Sequence, residues 1–150
     1  MAIDWRKDAR KLIRGTFKSA LSTTFKMKVA SPTAILASSD NNYAVVNIQT
    51  SSKSSIDNFV FYVNCGSSTW DWFNTRGYGP KSPKSEADCS QRMRLQPDLN
   101  IFQIDDFEAF HIPRASWESV DLQTQYLGFF MDGAHSVLIP WIKSNWSDTP

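Results

Sequence analysis

The residues with the clearest chemical potential lie in the run Asn47-Ile48-Gln49-Thr50-Ser51. If this run forms a strand, its side chains alternate, so Asn47, Gln49 and Ser51 share one face. Ile48 then points to the opposite face, which we expect to be the core. Amides and hydroxyls both donate and accept hydrogen bonds. A row of them along one strand predicts a surface that binds a polar ligand.

Two further segments carry side chains that could extend this row. The next strand offers Tyr62 and Asn64 on one face. A later segment contains Arg92 and Arg94, which share a face if that segment is extended. Two arginines on one face can clamp a phosphate or a carboxylate through paired hydrogen bonds. The alternative is a polar outer face whose side chains bond only to one another across strands. The candidate ligand-binding residues are therefore Asn47, Gln49, Ser51, Asn64, Arg92 and Arg94.

Two other regions could meet a macromolecular partner. Trp70, Trp72 and Phe73 begin a long irregular segment rich in glycine and proline. Aromatic side chains on such segments often dominate the energy of a protein interface. Arg10 and Arg14 lie in a basic stretch that could contact the phosphates of a nucleic acid if it is helical. The alternative for this helix is a solvated face on an element that packs against a sheet.

Patterns typical of catalysis or metal binding are absent. His111 and His135 are the only histidines, and neither has a partner at the spacing of a metal site. Cys65 and Cys89 do not form a metal-binding or redox pair. The acidic cluster within residues 105–108 is more typical of a solvated turn than of an acid–base pair. We expect no metal, no cofactor and a non-enzymatic role.

The sheet that must position the polar row is predicted from alternation and turn residues. Gly66 is expected to end the strand that carries Asn64. Short polar connections between consecutive strands favour an antiparallel meander. The predicted strands cover residues 25–29, 33–37, 43–51 and 59–65, with extended segments near 90–95 and 101–104.

Helices are predicted at both ends of the chain. Apolar residues at three- and four-residue spacing indicate an amphipathic helix over residues 6–22. A C-terminal helix is expected to start at a Ser116 or Ser119 cap and to break at Asp132-Gly133. Pro140 should kink the following segment or open its last helix at the first position. Together these elements predict one α+β domain over residues 1–150, with the helices packed on one face of the meander.

The central run resembles a known bacterial family. Asn42 to Gly66 contains Val-Val-Asn-Ile-Gln-x-Ser followed by Phe-x-Phe-x-Val-Asn-x-Gly, as in the domain of unknown function 4304. Thr50 and Thr24 depart from the pattern, which has a basic residue and a glycine there. The resemblance implies the order of elements for most of the chain and carries no biochemical role. Its other matching segments are Phe25-Lys26-Met27-Lys28, Cys89-Ser90-Gln91-Arg92-Met93-Arg94 and Pro140-Trp141-Ile142.

Composition and charge narrow the class of protein. The chain has 150 residues, of which 41% are hydrophobic and 13% aromatic, so it can bury a sizeable core. No apolar stretch reaches the ~20 residues of a membrane span, and a charged N-terminus predicts a cytoplasmic location. Residues 1–28 contain eight Lys/Arg and two Asp/Glu, whereas residues 98–150 contain two Lys/Arg and eight Asp/Glu. These two segments either complement each other in charge or present charged faces to a partner.

Three functional hypotheses follow from the sequence. The first is a non-enzymatic protein-interaction module of bacterial cells, of the immunity or defence type. The second is a small-ligand or nucleotide-binding or nucleotide-processing domain that uses the polar groove. The third is nucleic-acid binding through the basic helix, which the sequence pI of about 7.8 makes less favourable than the first two.

Overall fold

A computed structural model describes residues 4–31, 33–39, 42–68, 89, 91–98, 100–102 and 109–146. Helix α1 spans Trp5–Leu21, so the predicted helix over residues 6–22 is confirmed to within one residue. Asp4 caps it, because its carboxylate accepts a hydrogen bond from the Arg6 backbone N–H at 3.0 Å. The buried stripe of α1 consists of Trp5, Ala9, Ile13, Phe17, Ala20 and Leu21.

Within the described residues, six antiparallel strands form one sheet. The first five follow one another in space in the order β1-β2-β3-β4-β5, which confirms the predicted α+β meander. Strand β6 departs from this order, because it returns to pair with β4. The strands are β1 Lys26–Ser31, β2 Ala34–Ser39, β3 Asn42–Thr50, β4 Asn58–Ser68, β5 Gln91–Arg94 and β6 Phe110–Pro113.

Strand β4 is the centre of the sheet. One of its edges pairs with β3, and the other pairs with β6 at residues 58–61 and with β5 at residues 64–67. The prediction that Gly66 ends this strand is wrong. Gly66 lies opposite Val45 on one side and Arg92 on the other, and pairing continues to Ser68. Neighbours on both edges thus hold the backbone extended through a residue with low strand preference.

The C-terminal helices run almost without interruption from α2 (Arg114–Glu118) through α3 (Val120–Gly133). Ser119 caps α3 by accepting a hydrogen bond from the Leu122 backbone N–H at 3.4 Å. The predicted break at Asp132-Gly133 is wrong, since a π-helical turn follows directly. A Cβ at Gly133 would lie 3.3 Å from Leu95 Cδ2, so this glycine permits close packing.

The π-helical turn at Ala134–Leu138 leads into α4, Ile139–Trp146. Pro140 is the second residue of α4, whereas the sequence predicted a kink or the first position. The Ile139 backbone N–H donates to the Ala134 carbonyl five residues earlier. Proline has no N–H to donate, and its ring crowds the carbonyl four residues before it. The wider π-helical turn accommodates the missing hydrogen bond and the bulk of the ring without breaking the helix.

The prediction of an extended segment over residues 101–104 is wrong for the two of these residues that the structure describes. Ile101 and Phe102, which begin the predicted extended segment 101–104, form a turn. Their backbone N–H groups both donate to the Asp98 carbonyl at 3.0 Å, and the Asp98 carboxylate accepts from the Asn100 N–H. An aspartate that bonds its own backbone two residues on favours a turn over a strand. Residues 103 and 104 lie outside the described residues.

The core lies between the helices and one face of the sheet, which we call the inner face. Phe130 of α3 is fully buried at its centre, with its ring centroid 5.4 Å from Phe17 and 5.1 Å from Phe110. Its contact with Phe61 of β4 ties helix and sheet together. A smaller apolar cluster on the opposite, outer face contains Ala34, Leu36, Val45 and Cys89. Among the described helices, none is long and apolar enough to cross a membrane.

Candidate functional site

The strand register brings the predicted polar side chains into rows on the outer face. Asn47 of β3 lies directly opposite Asn64 of β4, which lies directly opposite Arg94 of β5. Gln49 lies opposite Tyr62 in the next outward-facing row. Because side chains alternate along each strand, all five point away from the core. Strands β3, β4 and β5 thus supply one continuous polar surface.

A chain of hydrogen bonds crosses this surface. Asn64 Nδ2 donates to Gln49 Oε1 at 2.8 Å, and Arg94 Nε donates to Asn64 Oδ1 at 2.9 Å. An arginine can only donate, so its bond fixes the orientation of the Asn64 amide, with the oxygen toward Arg94 and the nitrogen toward Gln49. Asn64 is only 4% exposed. Burying an amide is costly unless it is paired, and here both ends have partners.

The guanidinium of Arg94 is also held by an aromatic ring. Its Cζ lies 4.2 Å from the centroid of Tyr62, which is a cation–π contact. Arg94 is therefore oriented by a hydrogen bond at Nε and by a ring against its plane. Arg92, two residues earlier on β5, is exposed and lies opposite Gly66 on the same face. We call the residues Gln49, Tyr62, Asn64, Arg92 and Arg94 the polar patch.

Two of the predicted ligand-binding residues, Ser51 and Asn47, lie outside the polar patch. Ser51 lies beyond the end of β3, and its Oγ accepts a hydrogen bond from the Lys53 backbone N–H at 3.2 Å. This bond belongs to the turn between β3 and β4. Asn47 shares the row of Asn64, but within the described part of the chain its side chain makes no hydrogen bond. Tyr62 shares the outward face of its strand with Asn64, as side-chain alternation predicts, and it lies opposite Gln49.

The predicted partner-binding residues lie elsewhere. Arg10 is on α1, which packs against the inner face, and its Nη1 donates to Thr50 Oγ1 at 3.3 Å at the end of β3. Arg14 is half-buried one turn further along the same helix. The structure therefore does not bring the basic helix and the polar patch together. Trp70, Trp72 and Phe73 lie outside the described residues.

The remaining candidates for metal binding or catalysis are the histidines, the cysteines and the acidic cluster. No three of their histidine, cysteine, aspartate and glutamate side chains form a group that could hold a metal ion. His111 Nε2 lies 2.8 Å from Asn58 Oδ1, which is a contact between neighbouring strands. Cys65 and Cys89 are buried, in the inner-face core and in the outer-face cluster respectively. The acidic residues 105–108 are not among the described residues.

Fold and site together define an α+β protein, whose antiparallel meander is covered by helices on one face and carries a polar, arginine-bearing surface on the other. The chain belongs to the family described as domain of unknown function DUF4304, whose model matches residues 25–144. The match contains all six strands and nearly all of the C-terminal helices, whereas α1 precedes it. No curated protein and no solved structure matches the chain.

Proposed function

We propose that this protein is a non-enzymatic binding module that recognises an acidic group of a partner protein through the polar patch. The observation that carries the proposal is the buried Asn64, which orients the Arg94 guanidinium from within the sheet. A guanidinium fixed before binding loses less conformational entropy when a carboxylate or phosphate arrives. The network orients a charged group for recognition. A surface that contacts only water does not require its charged groups to be oriented.

The composition of the patch supports a protein as the partner. Tyrosine and arginine are enriched in protein interfaces and are the residues most often found at their energetic centres. Tyr62 and Arg94 are in contact on the outer face of the sheet, and the exposed Arg92 adds a second cation on the same face. A patch with two positive charges favours a partner with an acidic surface, which it would attract at long range and pair with at contact.

The finer form of the proposal is an immunity- or defence-type role in the cytoplasm of a bacterial cell. Membership of the DUF4304 family is compatible with this role and assigns no other. The chain has only two cysteines, Cys65 and Cys89, and so low a cysteine content is consistent with a reducing compartment.

Quantitative affinity purification from the native host tests the proposal. The baits are the wild-type chain, Arg94→Gln and the control Arg114→Gln. Arg114 is exposed and pairs with Glu118 at 3.0 Å, outside the polar patch. We expect one protein to be recovered in near-equimolar amount with the wild type and the control and to be lost with Arg94→Gln. Recovery of the same proteins by all three baits would contradict the proposal.

A small anionic ligand is the second candidate, because the planar guanidinium of Arg94 is held against the Tyr62 ring in a fixed orientation. That orientation suits bidentate binding of one carboxylate or phosphate. Thermal-shift screening with nucleotides and dicarboxylates separates the two candidates. A stabilising compound whose effect disappears in Arg94→Gln supports the small ligand, and a panel without effect removes it.

Nucleic-acid binding through α1 has less support. Arg6 forms an ion pair with Asp4 at 3.0 Å, and Arg10 donates to Thr50, so two of the helix cations already have partners within the chain. If α1 binds nucleic acid, affinity should fall steeply with salt and be lost in an Arg10→Glu/Arg14→Glu variant.

A further inference from the structure

A second candidate binding site lies at the β1 end of the sheet, in a cleft beside the connection from α1 to β1. Its volume is about 610 Å³, which is within the range of small-molecule sites. Hydroxyl groups dominate the described part of its wall. They belong to Ser22, Thr23, Thr24, Ser38 and Ser39. Lys26 and Tyr43 also line the cleft.

The fold brings two separate hydroxyl runs together here. Ser22 to Thr24 follow the last turn of α1, and Ser38 and Ser39 end β2. Antiparallel pairing sets Lys26 of β1 directly opposite Ser38, and Ser38 directly opposite Tyr43 of β3. A lysine, a serine and a tyrosine therefore stand side by side across three strands on the outer face.

The hydroxyls offer both acceptors and donors to the cleft. Ser22 Oγ and Thr23 Oγ1 donate to the carbonyls of Ser19 and Ala20 at 2.7 and 2.8 Å, so their lone pairs can accept from a ligand. The Ser38 hydroxyl is half-buried, and across the described parts of the chain it has no hydrogen-bond partner. Polar groups in that position are usually satisfied by water or by a ligand.

Contacts of Trp146 hold the wall of the cleft around Tyr43 in place without a ligand. The Tyr43 carbonyl accepts a hydrogen bond from Trp146 Nε1 at 3.2 Å, and the Trp146 ring packs edge-on against Phe25 at 5.0 Å. The last helix thus braces the cleft from behind. A braced cleft is typical of ligand sites, which are largely formed in advance.

Mixed acceptors and donors match a ligand that is itself rich in hydroxyls. A bare anion would use only the donors, and the C-terminal end of α1 carries a partial negative charge that opposes it. Lys26, whose side chain is exposed at the rim, supplies one compensating positive charge. We propose that the cleft binds a monosaccharide phosphate, with the sugar hydroxyls along the serine and threonine side chains and the phosphate at the Lys26 ammonium.

Calorimetric titration of the full chain tests this proposal with four probes: glucose 6-phosphate, ribose 5-phosphate, glucose and inorganic phosphate. We expect at least one sugar phosphate to bind about tenfold more tightly than both glucose and phosphate, because each of the latter makes half of the contacts. No saturable binding of either sugar phosphate up to ~10 mM would overturn the proposal. Equal affinity for inorganic phosphate would overturn it as well.

Two lysine variants show whether the binding uses this cleft. Lys26→Met should remove the preference for the phosphate ester, whereas Lys28→Met, two residues along the same strand face and outside the described cleft lining, should keep it. Equal losses in both variants would contradict the assignment. Arg114→Gln, the control outside both sites, should keep this binding. A loss of sugar phosphate binding in Arg94→Gln would place the ligand on the polar patch and overturn the assignment to this cleft, so failure here and failure of the polar patch proposal are distinguishable.

Discussion

Asn64 Oδ1 accepts a hydrogen bond from Arg94 Nε at 2.9 Å, while Nδ2 of the same amide donates to Gln49. The amide is buried within an outward-facing row of the sheet, so it joins two partially solvated side chains into one unit. The sequence predicts both residues as candidates, the strand register brings them together, and the proposed recognition depends on the bond between them.

Replacement of this amide should cost stability. Asn64→Ala removes a hydrogen bond to a charged group and a second one to Gln49, and we expect the free energy of unfolding to fall by about 2 kcal/mol. Asn47→Ala is the matched control in the same row and should change it by less than about 0.5 kcal/mol. Urea denaturation measures both. Equal losses in the two variants would show that the network contributes nothing beyond strand packing.

The start of α1 should make stability depend on acidity. The Arg6 side-chain hydrogen bond lowers the pKa of the Asp4 carboxyl below its usual value. A carboxyl whose pKa is lowered in the folded state stabilises the fold above its unfolded pKa, and this contribution is lost as the pH falls through the folded pKa. Asp4→Asn keeps the helix cap and removes the charge, so it isolates this effect.

We expect Asp4→Asn to be less stable than the wild type by roughly 0.5 kcal/mol near neutral pH, since the pair is partly exposed. The difference should shrink toward zero in acid, below the usual pKa of an aspartate. Thermal melts of both proteins over a pH series measure it. A difference that is constant down to the lowest pH, or that grows in acid, would contradict the ion pair.

Two helix-interior glycines should be replaceable with a gain in stability. A Cβ added at Gly15 or Gly128 would meet no other atom within 4 Å. Alanine is favoured over glycine inside a helix, so Gly15→Ala and Gly128→Ala should each raise the free energy of unfolding by about 0.5–1 kcal/mol. Gly133→Ala is the control, because its Cβ would press on Leu95 at 3.3 Å and offset the gain. A similar gain at all three sites would show that Leu95 moves freely.

Much of the fold follows from local pattern. The apolar spacing of α1 and the alternation in β3 are properties of single segments, and both predict the observed elements. Alternation also assigned Asn47 and Gln49 to one face before any pairing was known. Antiparallel register then determined which neighbours they meet, and Asn64 and Arg94 came into line because β4 pairs with both β3 and β5.

The wrong assignments of Gly133 and Gly66 have causes that are distant in sequence, whereas the cause for Ser51 is local. Gly133 has the local signature of a helix end, yet the helix continues through it, and Leu95 occupies the space beside its Cα. Gly66 has the signature of a strand end, yet two neighbouring strands hold it in the sheet. Ser51 was assigned to the polar row by alternation alone, whereas its bond to the Lys53 N–H makes it part of a turn. Sequence periodicity contains none of these contacts.

The most direct test of the central claim is the dissociation constant of the purified partner for the wild type, Arg94→Gln and Arg114→Gln, measured by calorimetry. If the polar patch is the recognition surface, Arg94→Gln should weaken binding at least about tenfold, while Arg114→Gln should bind like the wild type. The affinity of the wild type should also fall with added salt, because an acidic group meets two arginines. A partner that binds Arg94→Gln as tightly as the wild type would contradict the claim.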